Sequence, residues 1–445
     1  MRKPRKSNSR PDPNSARHQT RFKEQRSADT PCPVQTYGEM FSTGATIEPI
    51  QSVATGLLQL NLWDGNRSTI GQQVEFGGRL FRPPDLSRSI KAMVRFPEKS
   101  LNFASTTHLF TRVYEFIVSN GFMPTVALCA TYLVFATWFA DVLPLAPCLL
   151  VTGPPLEAEL LLDVLACLVR RPLPTSEFNP HALRCFPMRL APTLLINAQR
   201  FGAAVLELLR ATNHHRRFVS CKGEFVDCFC AKAFYCGHFM DPDVSAEGMF
   251  HLNLPPANAR VPIFDSKHGD EASREFQSKF LAYRNRYILD VQKSQFDPTE
   301  FPPETRILAR VLGAPLIEAP ALQHGLINIL REQEEERKAF RWTAVRYVAL
   351  EAVLHYVHKD PGARVHVGEI TETTMDILKG RGDSTVYDAR EIGIFLRSFG
   401  LKPKRNGKGY AIRFDAARCR DMHLLAHTLG VLTKRSGKCR HCDEI

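Results

Sequence analysis

The sequence predicts an α/β protein, with helices on both faces of a parallel sheet, followed by a small domain of three helices and a hairpin. The first half rests on two apolar runs, at 149–151 and 193–196, each of strand length and each feeding a Leu-rich helical stretch. Strands that alternate with helices pair in parallel. The second half rests on three helical patterns between 342 and 400 that precede Asn406-Gly407, a dipeptide favouring a two-residue hairpin turn.

Bulk properties bound the function. The chain has 445 residues, room for two or three domains, and 44% of them are hydrophobic, as in globular proteins. A net charge of +12 makes an anionic partner, nucleic acid first, a candidate. A basic tail with no specific partner is the plainer alternative. The twelve Cys show no small-domain framework, and no leader pattern is visible, which predicts a reducing, cytoplasmic location. The longest apolar stretch, 125–151, is interrupted by Asp141 after about sixteen residues, where a span needs roughly 20. It reads as a buried helix and a strand, with no membrane role.

In chain order, residues 1–44 are rich in Arg, Lys, Ser and Pro and read as a disordered basic tail. The region 45–105 is mixed, with "QVEFGGRLFRPP" suggesting a hairpin. Two helices follow at 106–140, with Thr106 and Thr107 as candidate caps. Strand–turn–helix units come at 148–170 and 191–212. "RRFVSCKGEFVDCFCAKAFYCGHF" alternates as strands do and reads as a hairpin with Gly223 in its turn. The chain from 318 to 359 reads as helix, and its charged run "REQEEERKAF" as a solvated face or an interdomain helix. The domain boundaries expected are 106–335 for the α/β domain, 336–420 for the small domain and 421–445 for a tail.

The unit at 149–165, "LLVTGPPLEAELLLDVL", has the layout of a phosphate-binding loop without its chemistry. The working motif, G-x-x-x-x-G-K-[ST], supplies backbone N–H groups and a Lys to phosphates and a hydroxyl to Mg²⁺. With Gly153 as the first Gly, Ala158 stands at the second, Glu159 at the Lys and Leu160 at the hydroxyl. Pro154 and Pro155 each remove an N–H donor. The strand "TLLINAQRF" ends in Asn197 and Ala198, where a metal-binding Asp and a water-polarising Glu would stand. Taken alone, both units read as ordinary core strands.

Longer phrases carry a resemblance. "TWFADVLPLAPCLLVTGPP", "LLLDVLACLVRRPLP", "PTLLINAQRF", "HHRRFVSCKGEFVDCFCAKAF" and "IFLRSFGLKPKRNGKGYAIRF" follow one another as segments do in certain P-loop proteins of bacterial phages, plasmids and integrated elements. That group is related to the primase-associated helicases, and the resemblance covers about 110–415. It implies a degenerate P-loop NTPase-like (AAA/helicase-like) domain and a role in mobile-element replication or control. The group's ATP chemistry does not carry over, because the departures fall on Ala158, Glu159, Leu160, Asn197 and Ala198. The expectation is therefore no catalytic residue and no cofactor. An active ATPase or helicase using unorthodox residues is the alternative.

The small domain reads as "WTAVRYVALEAVLHYVHK", "VGEITETTMDILKG" and "DAREIGIFLRSFG", with Gly400 as a helix stop, then the hairpin "LKPKRNGKGYAIRF". Three helices and a hairpin in this order describe a winged helix, whose third helix usually enters the major groove. Arg390 and Arg397 on that helix, and Lys402, Lys404, Arg405 and Lys408 around the turn, are the candidate DNA contacts. Arg413 adds a further cation. Winged helices also bind proteins, so a protein partner or a homo-oligomer, with no nucleic-acid role, is a third reading.

Among Cys221, Cys228, Cys230, Cys236 and His238, the pair Cys228-x-Cys230 is too tight for a zinc knuckle and would share one strand face, so the group reads as core Cys on a hairpin. Cys439-x-x-Cys442 has knuckle spacing, with Cys419, His423 and His427 upstream, but no second knuckle. No metal is assigned. "RGD" at 381–383 reads as coincidence.

Overall fold

The computed structural model describes residues 32–176, 187–198, 201, 203–215, 217–221, 224–237, 249–256, 264–360, 362 and 364–431. Its N-terminal layer holds one antiparallel and one mixed sheet. In one, β2 (Glu39–Met40), β3 (Thr46–Gln51), β4 (Leu58–Trp63) and β5 (Ser68–Gly71) lie in chain order. In the other, β6 (Val74–Phe76) and β7 (Arg79–Arg82) form the expected hairpin, and β1 (Val34–Gln35) adds to β7 in parallel. Gly77 and Gly78, at φ +59° and +72°, fill both left-handed positions of that turn. Residues 34–44, assigned to the tail from sequence, thus belong to folded β structure. Two-residue strands carry no period to read. The rest of the tail, 1–31, lies outside the described residues.

After α1 (Arg88–Met93) come α2 (Thr106–Ser119) and α3 (Pro124–Thr137). The cap of α2 is Ser105, one residue before the expected Thr106 and Thr107, and its hydroxyl accepts from the His108 N–H. From Val126 onward α3 is buried almost all round, as an apolar helix without a polar face must be. Among the described residues no helix is long and apolar enough to cross a membrane.

The centre is a five-stranded parallel sheet of β8 (Cys148–Thr152), β9 (Pro172–Thr175), β10 (Thr193–Asn197), β13 (Lys232–Tyr235) and β14 (Phe250–Asn253), in the spatial order β14-β8-β13-β10-β9. Alternate residues of its strands serve two cores. Leu149, Val151, Leu195, Ala233, Tyr235, Phe250 and Leu252 face one, Cys148, Leu150, Leu194, Ile196 and Phe234 the other. On the first face pack α2, α3, α4 (Pro155–Leu168) and α6 (Ser266–Gln292), with α5 (Ala203–Ala211) contributing Leu209 to the second. A sheet buried on both faces reads as continuous apolar runs, which is why β8 and β10 were legible. This mixed α/β architecture is consistent with a P-loop-like domain. The run read as one hairpin divides. β11 (Phe218–Cys221) and β12 (Glu224–Asp227) pair antiparallel, with Gly223 outside the described residues, while β13 joins the central sheet.

Beyond α7 (Pro303–Gly313), the long C-terminal helix breaks at Ala344 into α8 (Pro320–Thr343) and α9 (Val345–Lys359). The charged run is not wholly solvated. Glu334 and Arg337 are buried, paired at 2.5 Å, and both bond to the Thr305 hydroxyl of α7. Then follow β15 (Arg364–His366), α10 (Val367–Gly380), α11 (Ala389–Ser398), β16 (Lys404–Asn406), β17 (Gly409–Arg413) and α12 (Ala416–Leu429). The three strands form a sheet in the order β15-β17-β16 over a core of their own. Asn406 pairs with Gly409, so the hairpin loop is 407–408, one residue later than expected. The Asn406 side chain instead caps that loop, accepting from the Lys408 N–H at 2.9 Å. α12 runs past 420 into the stretch assigned to a tail, held by the Asp415 cap and ended at Gly430, φ +67°.

Candidate functional site

The turn after β8 is shorter than a phosphate loop. Only Gly153 and Pro154 separate Thr152 from α4, which begins at Pro155, where a fixed φ favours the first helical position. The eight residues aligned as a loop are therefore mostly helix. Gly153 has φ +121°, and a Cβ there would overlap the Leu254 carbonyl oxygen and lie 2.9 Å from the Leu254 Cβ. The Leu254 N–H donates to the Thr152 carbonyl at 2.8 Å, and the Tyr235 hydroxyl donates to the Gly153 carbonyl at 3.1 Å. Close passage of the chain leaving β14 accounts for this glycine without a phosphate.

The structure separates the five aligned positions. Ala158 and Leu160 are buried in the core beneath α4. Glu159 and Asn197 come together, lining a cleft of about 430 Å³ with Asp163, Thr175 and Ser176 beyond the carboxyl ends of β9 and β10. Open α/β sheets hold ligands in such a crevice. Here it presents two carboxylates, and none of its described lining residues is cationic. Burial, then the Glu159 charge, raises the Asp163 carboxyl above its ordinary range. A triphosphate entering would meet like charge. Ala198 packs against the second core and offers nothing to water.

Sequence reasoning missed a polar row on the opposite side of the turn. The Thr152 hydroxyl donates to the Asn253 Oδ1 at 3.2 Å and lies 2.9 Å from His251 Nε2, which must then donate. Burial, then the Arg337 charge, lowers the His251 pKa, so the ring is neutral at pH 7. These residues belong to no spacing motif, and only the β8–β14 register brings them together.

The six candidate DNA contacts are all exposed. Arg390 and Arg397 flank Ile394, 51% exposed, on one face of α11. Lys402, Lys404, Arg405 and Lys408 surround the hairpin, and among the described residues none of the six makes an ion pair. Arg405 stands opposite Tyr410, an exposed aromatic that charge counting overlooked. Arg381 of the "RGD" is not free. It bonds both Glu351 oxygens at 2.8 and 2.7 Å and lies 3.5 Å over the Trp342 ring.

Cys228, Cys230 and Cys236 are buried in the second core on the links flanking β13, and burial raises the Cys230 thiol. His238, Cys439 and Cys442 lie outside the described residues. Among the described residues no group of three or more His, Cys, Asp or Glu could hold a metal ion.

Several chains of solved structures are similar. One of them is titled "The A form apo structure of NrS-1 C terminal region-CTR(305-718)", with a TM-score of 0.29 and 11% identity over 83% of this chain and 96% of that one. So loose a superposition supports no statement about chemistry. No protein-family model and no curated protein matches the sequence.

Proposed function

We propose that the chain binds DNA through its C-terminal domain and that its α/β domain is a degenerate, catalytically silent relative of P-loop ATPases. The wider role is assembly with a replication or control partner of a mobile element. The observation that carries the DNA reading is the set of six exposed cations on α11 and the β16–β17 hairpin that make no ion pair among the described residues. They sit on helix–strand–helix–helix–hairpin order, the order of a winged helix. An interaction-only role is the second reading, favoured by Val386, Ile394 and Leu424, which are 81%, 51% and 55% exposed in the same domain.

Duplex binding measured by fluorescence anisotropy across salt concentrations tests the first reading. Neutralising each phosphate contributes about 0.9 to the log–log salt slope, so Lys404→Ala, Arg405→Ala and Lys408→Ala together should flatten it by about 2.7. All three side chains are exposed, so the fold should survive. An unchanged slope and affinity would move the contact to the basic segment 1–26, which truncation tests. If neither change weakens binding, or the parent binds no DNA, the domain is a protein-interaction module.

The silent half makes its own prediction. Restoring Ala158→Gly, Glu159→Lys, Leu160→Thr and Asn197→Asp together should give no phosphate release above the parent. Two of the four positions point into the core, α4 starts too early to leave a loop, and Ala198 supplies no carboxylate. Turnover clearly above the parent in a phosphate-release assay would show an intact scaffold.

A further inference from the structure

A second cleft, of about 360 Å³, lies where the N-terminal β layer meets α1 and α6. Gln51 and Ser52, leaving β3, form one wall, residues between Lys91 and Glu98 another, and Asp270, Ser273 and Arg274 of α6 the third. Hydrogen bonds pin its frame. The Gln51 N–H donates to the Pro97 carbonyl at 2.9 Å, and the Gly56 N–H closes the turn after β3 onto the Ser52 carbonyl at 2.7 Å. The Gln51 side-chain amide donates to the Gly56 carbonyl at 3.1 Å. Across the cleft, Arg95 donates to the Gly269 carbonyl at 3.3 Å and pairs with Asp270 at 3.1 Å. Ligand sites are usually preformed in this way.

Five charged side chains line the cleft, and Arg95 and Asp270 hold each other. Lys91, Arg274 and Glu98 make no ion pair among the described residues, so two cations face one carboxylate. Ser273 adds an independent sign. It is 5% exposed and lines the cleft, yet its hydroxyl makes no hydrogen bond among the described residues. A helical hydroxyl commonly donates to the carbonyl one turn back, as those of Thr131 and Thr374 do here. A buried hydroxyl that bonds nothing costs free energy, and a ligand acceptor removes that cost.

We propose that this cleft binds a phosphoryl group, with Lys91 and Arg274 as its counter-charges and the Ser273 hydroxyl as a neutral donor. An Arg guanidinium offers paired N–H groups to two phosphate oxygens, and Lys adds a point charge. Glu98 can only accept when ionised, so it favours a phosphate that brings a hydroxyl of its own. Its charge also opposes the ligand and keeps affinity on the order of 1 mM, so micromolar ATP leaves the cleft unfilled. The phosphoryl group can belong to a small phosphate ester or to the backbone of DNA, since both present the same oxygens.

Phosphorus NMR of inorganic phosphate with the full chain, in chloride buffer at constant ionic strength, tests the assignment. Line broadening should saturate with a dissociation constant on the order of 1 mM. Ser273→Ala should weaken binding by about threefold to tenfold. Its fold should survive, because Ala is the best helix former and no hydrogen bond is lost. Lys91→Gln with Arg274→Gln should abolish binding, and Glu98→Gln should tighten it. Duplex anisotropy with the double cation variant separates the two sources. An unchanged salt slope assigns the cleft to a small ester, and ribose 5-phosphate should then bind more tightly than inorganic phosphate. A slope flatter by about 1.8 assigns it to the nucleic-acid backbone. No saturable broadening in the parent, or parent-like binding by either Ser273→Ala or the double cation variant, would overturn the proposal and leave Lys91 and Arg274 as a solvated rim.

Discussion

Replacing Glu48 by Ala is expected to destabilise the α/β domain by about 3–5 kcal/mol, the cost of removing one partner from a buried ion pair. Glu48 is 4% exposed on β3 and gathers three guanidiniums. Arg170 and Arg171, where α4 hands over to β9, bond its two oxygens at 2.7 and 2.5 Å, and Arg284 of α6 adds a bond at 2.8 Å. Asp141 shares Arg284 at 2.8 and 2.5 Å. Three cations thus face two carboxylates, and losing Glu48 leaves three against one. Burial alone would raise the Glu48 pKa, but Arg170, Arg171 and Arg284 overcome it and hold the group at about 2. A depressed carboxylate stabilises the fold fully above its ordinary 4.5, and that contribution is lost as pH falls toward about 2. Scanning calorimetry at pH 7 should show an apparent melting point lower by on the order of 10 °C in the variant. The gap between parent and variant should narrow below pH 4. A loss under about 1 kcal/mol would mean that the cluster does not clamp the N-terminal β layer to the sheet.

Gly153→Ala should be nearly as costly. The backbone there is left-handed, a strain of roughly 1–3 kcal/mol for a residue with a Cβ. The added methyl must also displace the Leu254 backbone, overpacking worth typically about 1–3 kcal/mol. The effect should appear in the absence of any nucleotide, as a drop in the urea midpoint. A variant as stable as the parent would return Gly153 to the role of a vestigial phosphate ligand.

The central sheet was legible because β8 and β10 are buried on both faces and so are apolar throughout, which a single sequence displays. The C-terminal helices were legible from their 3.6-residue pattern and stops. Apart from the β6–β7 hairpin, the N-terminal strands were not, since β1 and β2 are only two residues long and β1 takes its partner β7 from 47 residues further along the chain. The aligned loop was misjudged in length because Pro155 looks like an obstacle to phosphate binding, whereas it starts a helix. Glu159 and Asn197 line one cleft, and Asp163 joins them only because α4 lies over β9 and β10. The Glu48 cluster joins residues up to 236 positions apart and leaves no local trace.

The strand–turn–helix at 148–168 is proposed to be a structural device rather than a nucleotide site. Titration calorimetry of the full chain with ATP and Mg²⁺ tests it most directly. The geometry predicts no saturable heat at micromolar ligand, because the turn is closed by Pro154, Pro155 and Leu254 and the neighbouring cleft carries Glu159 and Asp163 with no cation among its described lining residues. A dissociation constant below about 10 µM, near −7 kcal/mol, would contradict it.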